Sequence, residues 1–333
     1  IFIKFYSLKG LDTSWALGTD HAGIATQLLV EKSLVKKGID SKALKRDELL
    51  SHIWKWKDEN GEDILNQLKV LGLNCNWDDP KFTLYDDMSK AVNEAFIRLY
   101  DKGLIYQEKT LINWDPKLKT AISDLEVISQ KKKSSLYYFK YFLDNSDSFI
   151  IVSTTRPETV FGDVAVAINP KDEKNIKFAG MVIKSPFNNR SIKIIVDEYA
   201  DLTKGSGAVK ITPAHDFNDY DIAIKHNLPF INILNDDGTL NDDVPKNFRN
   251  LKTIDAREKV LAFMSEIDVF VKEEKIDNTI PVGDRSGEVV EPLLKNQWFL
   301  NVKEMANKSS SAVEKGEVEF KPKFWENTFF EWM

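Results

Sequence analysis

Residues 205–219 read Gly-Ser-Gly-Ala-Val-Lys-Ile-Thr-Pro-Ala-His-Asp-Phe-Asn-Asp, and this stretch predicts a strand that turns into a helix at its proline. Lys210 and Thr212 lie two apart on the strand and therefore share a face. Asp216 and Asp219 lie three apart and share one face of the helix start. One carboxylate at that place is an ordinary helix cap, whereas two carboxylates beside a strand lysine predict a polar pocket wall.

A metal site is the alternative use of His215, Asp216 and Asp219. Adjacent residues on a helix rarely reach the same ion, so we predict no bound metal at this turn. The chain has one cysteine, Cys75, which cannot form an internal disulfide or complete a thiolate cluster by itself. This cysteine usage favours a reducing, cytoplasmic location.

A second polar motif, residues 153–163, reads Ser-Thr-Thr-Arg-Pro-Glu-Thr-Val-Phe-Gly-Asp. The two adjacent threonines would point to opposite faces of a strand. Arg156 precedes a proline, which favours extended backbone, and its guanidinium could reach a phosphate or a carbonyl oxygen. The alternative is a surface ion pair of Arg156 with Glu158 or Asp163, which would contribute little to stability.

A third motif, residues 15–27, reads Trp-Ala-Leu-Gly-Thr-Asp-His-Ala-Gly-Ile-Ala-Thr-Gln. Two glycines bracket Thr19, Asp20 and His21 just before a helical pattern. A carboxylate and an imidazole at a helix start suit a small polar ligand, and the backbone amides there suit an anion. A helix cap or a satisfied turn is the alternative interpretation.

The spacing of apolar residues changes along the chain. Between residues 26 and 103 it is helical, and from residue 135 onward short strands dominate. The predicted strands are 104–106, 110–114, 136–142, 149–155, 164–168, 181–183, 192–196 and 208–212, and the clearest later helices are 216–226 and 254–266. The sequence therefore predicts an α/β fold with a helix-rich part, a mostly β insertion and a return segment.

Composition excludes several classes of protein. The chain has 333 residues, of which 42% are hydrophobic and 29% charged, and no apolar run approaches the ~20 residues of a membrane span. A net charge of −6 argues against binding dominated by attraction to nucleic-acid phosphates. Any contact with a nucleic acid must therefore be local, and we predict no membrane partner.

Five stretches, taken together, identify a family. They are Gly-Thr-Asp-His-Ala-Gly-Ile-Ala-Thr-Gln at 18–27, Asn-Trp-Asp-Pro-Lys-Leu-Lys-Thr-Ala-Ile-Ser-Asp-Leu-Glu-Val at 113–127, Thr-Thr-Arg-Pro-Glu-Thr at 154–159, Ala-Val-Lys-Ile-Thr-Pro-Ala-His-Asp-Phe-Asn-Asp-Tyr at 208–220, and Asn-Asp-Asp-Gly at 235–238. With these motifs the chain resembles the valyl-tRNA synthetases, a class I family, over essentially its full length. The leucyl and isoleucyl relatives share the architecture but look more like Gly-Trp-Asp at the first motif.

The resemblance implies three parts. Residues 1–133 resemble the first half of a Rossmann-type catalytic domain, residues 134–278 an inserted, mostly β (α+β) editing domain, and residues 279–333 the stem that returns to the catalytic domain. The ATP-binding signatures would lie outside the chain, so we expect an internal fragment that does not aminoacylate by itself. It would need no cofactor, whereas the full enzyme would use ATP and Mg²⁺. Two positions depart from the family: Leu17 replaces a proline, and the turn at 283–287 lacks the cysteines that bind zinc in some relatives, so we predict no zinc.

The editing domain of this family removes threonine from mischarged tRNA(Val). Such a site is needed because a hydrophobic pocket rejects an added hydroxyl only weakly. By resemblance, Asp219 holds the threonyl ammonium group, Asp216 assists it or binds the side-chain hydroxyl, and Thr212 shapes the pocket. Lys210 and Arg156 would meet the terminal adenosine, its phosphate or the developing oxyanion.

The other candidate residues line two sites: Thr154, Thr155, Thr159 and His215 in the editing site, and Thr19, Asp20 and His21 in the synthetic site. The threonines could place the attacking water, Asp20 would bind the amino group of valine, and His21 would border the adenylate. The expected partners are tRNA(Val), valine, threonine as its ester and, in the full enzyme, ATP; we expect a monomer. Editing or synthesis for leucine or isoleucine, and an idle tRNA-docking fragment, are the alternatives.

Overall fold

A computed structural model of the chain describes residues 1–144 and 146–333. The helices α1 to α9 are Phe2–Leu8, Gly23–Lys36, Arg46–Asn60, Asp63–Val70, Asp86–Asp101, Phe217–His226, Thr253–Glu266, Lys303–Glu314 and Trp325–Trp332. The strands β1 to β12 are Ala16–Thr19, Asn76–Phe82, Ile105–Asp115, Thr120–Ala121, Val127–Phe142, Phe149–Thr154, Ala165–Ile168, Val182–Lys184, Ser191–Val196, Ala208–Ile211, Phe270–Gly283 and Glu291–Leu300. Short 3-10 helices lie at Ser41–Ala43, Asp124–Glu126, Pro157–Gly162, Ile176–Phe178 and Lys246–Phe248.

The chain forms two compact units. The first comprises Ile1–Tyr106 and Leu300–Met333, and the second comprises Gln107–Phe299. Mixed α/β content, as predicted, is therefore distributed between a helical unit and a β-rich unit.

The first unit is helical, with β1 and β2 paired in parallel. The helices predicted between residues 26 and 103 are present as α2 to α5. Their apolar faces are only partly covered: α2 buries Val30 and Leu34, whereas α3, α4 and α5 contain no fully buried residue, and apolar side chains of α3 such as Leu50 and Ile53 are half-buried. The buried hydrophobic side chains of this unit are Leu17, Val30, Leu34, Phe82 and Val313 among the described residues. The spacing of apolar residues thus predicted the helices correctly, but it did not predict how few of their apolar side chains are fully buried.

The second unit contains three sheets. A four-stranded sheet has the order β10-β7-β9-β8, in which β7 and β9 are parallel and the other pairs antiparallel. The antiparallel sheet β11-β5-β6 includes a long ribbon of β5 and β11. The third sheet has the order β12-β3-β4. Because β3 and β12 are neighbours, the two ends of the unit lie side by side, and just beyond them Asn301 N donates to Leu104 O at 2.8 Å.

The core of the second unit lies among these sheets and α7. Phe139, Tyr141 and Phe161 are fully buried there, and α7 adds Val260 and Met264 from one face. Aromatic rings pack edge to face in this core, as in Phe139 against Tyr141 with centroids 5.2 Å apart. Fully buried aromatic side chains dominate core energetics, so this unit carries most of the hydrophobic stabilisation of the chain.

The strands predicted from residue 135 onward are present, most with shifts of one residue at an end. The strand predicted at 136–142 begins nine residues earlier, as Val127–Phe142, and 104–106 and 110–114 merge into the single strand β3. The pairing of β5 with β11 runs through both proposed domain limits, since Lys133 pairs with Asp277 and Lys132 with Asn278. The predicted domain limits at 134 and 278 stay a prediction. The compact unit Gln107–Phe299 begins before the first limit and ends after the second. None of the helices in the described residues combines the length and the apolar character that a membrane span requires.

Candidate functional site

The strand-turn-helix predicted at 205–219 is present as β10 followed by α6. Asp216 is the N-cap of α6, and its Oδ1 accepts from the backbone N of Asn218 at 2.9 Å and of Asp219 at 3.1 Å. This is the ordinary capping role, since a side-chain oxygen satisfies amides that have no partner in the first turn. The second carboxylate, Asp219, is left free for another role.

Asp219 is nearly buried, with 5% of its surface exposed. Its Oδ2 accepts from Thr212 N at 2.8 Å, and its Oδ1 accepts from the Tyr199 hydroxyl at 3.0 Å. Burial, followed by the nearby charge of Asp216, raises the pKa of Asp219 to about 7, although Lys210 and the two hydrogen bonds partly offset this. No lysine, arginine or histidine forms an ion pair with Asp219 in the part of the chain that the structure describes.

Lys210 lies in a buried cluster beside this carboxylate. Its Nζ donates to Asp163 Oδ1 at 2.9 Å, to Thr159 Oγ1 at 2.8 Å and also to the Thr212 hydroxyl. The other oxygen of Asp163 accepts from the buried Tyr141 hydroxyl. Burial raises the pKa of Asp163, and the charge of Lys210 works against that rise. Lys210 and Thr212 do share a face, and the ammonium group fixes two threonine hydroxyls at once.

Arg156 is held by three protein groups. Its Nε donates to Glu158 Oε1 at 3.3 Å, its Nη1 donates to His215 O at 3.1 Å, and its Nη2 donates to Glu291 Oε2. Arg257 completes the network with two 2.8 Å hydrogen bonds to Glu158. The ion pair of Arg156 with Glu158 that the sequence left open is therefore present, with a buried carboxylate and a half-buried guanidinium group rather than at the surface.

The electrostatics of this network follow from burial of both glutamates. Burial alone would raise the pKa of Glu158, but Arg257 and Arg156 hold it below its ordinary value. Burial raises the pKa of Glu291, and Arg156 opposes that shift. Two guanidinium groups and two carboxylates balance in charge. Their hydrogen bonds hold the loop that carries Arg156, and the bond from Arg156 to His215 O holds the backbone there.

His215 is a buried imidazole that is neutral near pH 7 in this arrangement. It is 1% exposed, and its Nε2 accepts from Ile233 N at 3.0 Å, which assigns the ring proton to Nδ1. Nδ1 is buried and has no hydrogen-bond partner among the described residues. Burial first, then the charges of Arg156 and Lys210, lowers the pKa of His215 to about 3, although the backbone of Pro292 opposes this. Its predicted part in substrate binding stays a prediction.

The threonines of the second motif lie around the same loop. Strand β6 ends at Thr154, whose Oγ1 accepts from Arg156 N at 3.0 Å, and the half-buried Thr155 follows outside the strand. Thr159 is 3% exposed and donates to Arg156 O at 2.9 Å. The structure thus brings candidate residues of the motifs at 153–163 and 205–219 together within the unit Gln107–Phe299.

Thr19, Asp20 and His21 belong to the first unit. Thr19 ends β1, and Asp20 and His21 lie in the loop before α2 with side chains that are 77% and 40% exposed. Asp20 Oδ1 accepts from Ala22 N at 3.0 Å, and His21 Nδ1 lies 2.6 Å from Thr83 Oγ1. The turn is satisfied, as the alternative interpretation expects, and the polar groups remain accessible. The part of this loop in binding a ligand stays a prediction.

Sequence reasoning missed several members of the cluster: Tyr141, Tyr199, Arg257 and Glu291, and the pairing of Asp163 with Lys210. Each lies on an element far along the chain from its partner, so no local spacing identifies it. No group of three or more histidine, cysteine, aspartate or glutamate side chains is arranged to hold a metal ion among the described residues. The absence of a metal stays a prediction.

Comparison with known proteins places the whole chain in one family. The family described as tRNA synthetases class I (I, L, M and V) matches residues 1–333. Valine–tRNA ligase of Pelagibacter ubique is 45% identical over 333 residues, which is 100% of this chain and 38% of that protein. The Francisella tularensis enzyme is 46% identical, with 100% of this chain and 36% of that protein covered, and the Coxiella burnetii enzyme is 43% identical, with 99% and 36% covered.

These relatives confirm the resemblance to valyl-tRNA synthetases that the motifs indicate, and the chain spans 36–38% of their length. A solved ternary complex of an Agrobacterium radiobacter K84 LeuRS with tRNA and LeuAMS is 18% identical with a TM-score of 0.34, over 75% of this chain and 38% of that one. A score that low supports no structural argument. The class I synthetase fold with mixed α/β content is confirmed by the family match, whereas the inserted editing domain stays a prediction.

Proposed function

The chain belongs to the class I tRNA synthetases, and on that premise we propose that its unit Gln107–Phe299 removes threonine from mischarged tRNA(Val). The reaction is hydrolysis of the ester that joins threonine to the 3′-terminal adenosine. The motifs at 154–159 and 208–220, which resemble the editing site of valyl-tRNA synthetases, lie in this unit.

One observation carries the proposal: Asp219 is a nearly buried carboxylate without a cationic partner among the described residues. A buried carboxylate is costly unless a positive charge or several hydrogen bonds compensate it. Its raised pKa, about 7, reflects that cost. Strongly perturbed groups of this kind are enriched at functional sites. The α-ammonium group of an aminoacyl ester would supply the missing charge.

The reaction needs no covalent intermediate. A water oxygen attacks the ester carbonyl carbon, the bond from that carbon to the ribose oxygen breaks, and a proton from the water passes to the departing ribose oxygen. Free threonine and uncharged tRNA result. Asp219 holds the ammonium group so that the carbonyl carbon is fixed, and such fixation is a large part of rate acceleration.

Preference for threonine over valine follows from hydroxyl groups in the site. Lys210 orients the hydroxyls of Thr159 and Thr212. A site built to hydrogen-bond a substrate hydroxyl leaves its own polar groups unpaired when valine enters, which penalises valine strongly. We propose Thr212, with Asp216 at the helix start, as the group that recognises the threonine side chain.

Lys210 and Arg156 have supporting roles in this proposal. Each nitrogen of Arg156 donates one hydrogen bond to a protein group, and the ammonium group of Lys210 donates three. We propose that they order the site and supply positive potential toward the terminal adenosine and the developing oxyanion. Thr154 and Thr155, at the end of β6, are the candidates for placing the attacking water.

The test is deacylation of Thr-tRNA(Val) and Val-tRNA(Val) by excess chain at low salt. We expect the threonyl ester to be hydrolysed and the valyl ester to be spared. Asp219→Ala should slow hydrolysis roughly 10–150-fold, because a hydrogen bond to a charged group contributes about 1.5–3 kcal/mol. The matched control is Asp255→Ala, which removes an exposed carboxylate from the first turn of α7 and should leave the rate unchanged.

Other outcomes identify the alternatives. Preferential hydrolysis of mischarged tRNA(Leu) or tRNA(Ile) would assign the site to another amino acid pair. No hydrolysis of any ester, with tRNA binding retained, would indicate an idle docking module. Equal rates for wild type and Asp219→Ala would remove Asp219 from the site.

For the longer protein we propose activation of valine with ATP and Mg²⁺ and its transfer to tRNA(Val), by a cytoplasmic monomer. In that reaction Asp20 would bind the amino group of valine, and His21 and Thr19 would border the adenylate. The resemblance at residues 18–27 and the exposure of these side chains support the assignment. Valine-dependent pyrophosphate exchange by the longer protein, with and without Asp20→Ala, measures it.

A further inference from the structure

A tight turn at residues 197–199 holds one end of helix α6. Asp197 is buried, and its Oδ1 accepts from Tyr199 N at 3.0 Å. Its Oδ2 accepts from Lys225 Nζ at 2.7 Å and contacts His226 Nε2 at 2.6 Å. Because Lys225 and His226 form the last turn of α6, this carboxylate ties the C-terminal end of the helix to the turn.

The same turn reaches the other end of α6 through a side chain. The half-buried Tyr199 donates its hydroxyl to Asp219 Oδ1 at 3.0 Å, and Asp219 lies in the first turn of the helix. Two residues of one turn therefore hold α6 near both of its ends. The hydroxyl contact falls on the carboxylate that the proposed deacylation site depends on.

We propose that Tyr199 is a positioning residue of this site: its hydroxyl fixes the Asp219 carboxylate in the orientation that receives the substrate ammonium group. The inference rests on the proposed function. Tyr199 belongs to none of the sequence motifs that indicate the site, and it is 20 residues from Asp219 along the chain.

The hydrogen-bond geometry explains why a hydroxyl is needed there. A carboxylate offers about four acceptor positions. Thr212 N takes one position on Oδ2 and Tyr199 takes one on Oδ1, so the group cannot rotate without losing a bond, and one position on each oxygen remains for the ligand. Removing the hydroxyl leaves Oδ1 without a donor in a nearly buried place, where an unsatisfied acceptor is costly.

Removing the hydroxyl also favours protonation of Asp219. The charged groups that act on this carboxylate are Asp216 on α6, which raises its pKa, and Lys210 on β10, which lowers it. The Tyr199 hydrogen bond lowers it as well. Without that bond the protonated form persists to higher pH, and a protonated carboxyl group cannot hold an ammonium ion.

The experiment compares Tyr199→Phe with the wild-type chain in deacylation of Thr-tRNA(Val) from pH 6 to 8.5, against an enzyme-free blank. We expect the rate of the variant at pH 7 to fall about tenfold, mainly through KM, and the loss to shrink toward pH 8.5 as Asp219 ionises. The matched control is Tyr138→Phe, which removes a hydroxyl that donates to Glu274 at 2.9 Å and should leave the rate and the pH profile unchanged.

A second variant separates positioning of the carboxylate from bracing of the helix. Asp197→Asn weakens the tie to Lys225 and His226 but keeps the Tyr199 hydroxyl, so its pH profile should keep the wild-type shape. The positioning role alone is overturned if Tyr199→Phe keeps the wild-type deacylation rate and pH profile. It is also overturned if the rate of Tyr199→Phe falls by the same factor at every pH and that factor equals the one for Asp197→Asn. A wild-type chain that hydrolyses no Thr-tRNA(Val) overturns the proposed function, and this role of Tyr199 with it.

Discussion

At the scale of single residues, Gly162 has no room for a side chain. A Cβ atom there would lie 3.0 Å from Thr212 Cγ2 and 3.2 Å from Ile231 O. Gly162→Ala should therefore lower the free energy of unfolding by about 1–3 kcal/mol, as overpacking does, and slow deacylation because Thr212 must move. Urea denaturation measures the first effect. Gly18→Ala, whose Cβ would meet only Lys81 O at 3.8 Å, is the control, and equal stability of the two variants would contradict the close packing.

The ionisation of Asp219 predicts how stability depends on pH. Its pKa is about 7 in the folded chain against an ordinary 3.8, so the folded state binds the extra proton between these values. The stability linked to that proton is complete below pH 3.8 and is lost as pH rises through 7.

Asp219→Asn, which stays neutral, should therefore match the wild type near pH 4 and exceed its stability at pH 8. The upper limit is about 4 kcal/mol, since each pKa unit corresponds to ~1.4 kcal/mol. Thermal unfolding at the two pH values measures the difference. Asp255→Asn, which changes an exposed carboxylate, should show no such dependence; a variant of Asp219 that is less stable than the wild type at pH 8 would refute the argument.

Residue spacing predicted one half of this site. Alternation along the strand and the three-residue separation on the helix correctly placed Lys210 beside Thr212 and a cap beside a second carboxylate. The contacts from Tyr199 and Asp163 could not be predicted, because they depend on tertiary packing of segments 20 and 47 residues away. Local patterns specify the faces of an element, and long-range packing decides what each face meets.

At the scale of elements, two buried carboxylates and two half-buried guanidinium groups join the 3-10 helix Pro157–Gly162 to α7 and β12. Glu158 is the centre, since it accepts from both Arg156 and Arg257. Glu158→Gln leaves two guanidinium groups short of a counter-charge and should lower the free energy of unfolding by about 3–5 kcal/mol. Urea denaturation measures the loss.

The control for this prediction is an exposed pair. Glu94→Gln on α5 breaks a 2.7 Å ion pair with Arg98, and exposed pairs at this spacing contribute only about 0.3–0.5 kcal/mol. If Glu158→Gln and Glu94→Gln lower the free energy of unfolding by the same amount, the network around Glu158 contributes no more than a surface ion pair.

Alternating or continuous apolar runs identified the short strands of the second unit, because burial of one or both faces leaves that mark in the sequence. Strand β11 was missed for the opposite reason. Its first half, Phe270–Lys275, is mostly exposed and rich in lysine and glutamate. Its structure follows from pairing with β5 along the ribbon, and pairing leaves no hydrophobic pattern.

At the scale of the whole molecule, hydrophobic burial is unequal between the units. The core of unit Gln107–Phe299 contains many fully buried side chains, whereas α3, α4 and α5 of the other unit bury none. Because local stability follows buried apolar contacts, brief digestion with trypsin should first cut within residues 1–106 and 300–333. Mass spectrometry should find a resistant product close to 107–299, and early cleavage inside that range would contradict the unequal stability.

The neighbouring strands β3 and β12 bear on how the second unit can be exchanged between genes. Its entry and its exit lie side by side, bridged just outside by Asn301 and Leu104. A module whose ends meet can be inserted into or removed from a host chain with little disturbance of the host. A gene segment for residues 107–299 should thus transfer between synthetases through two junctions only, and on the proposed function it would take its deacylation specificity with it.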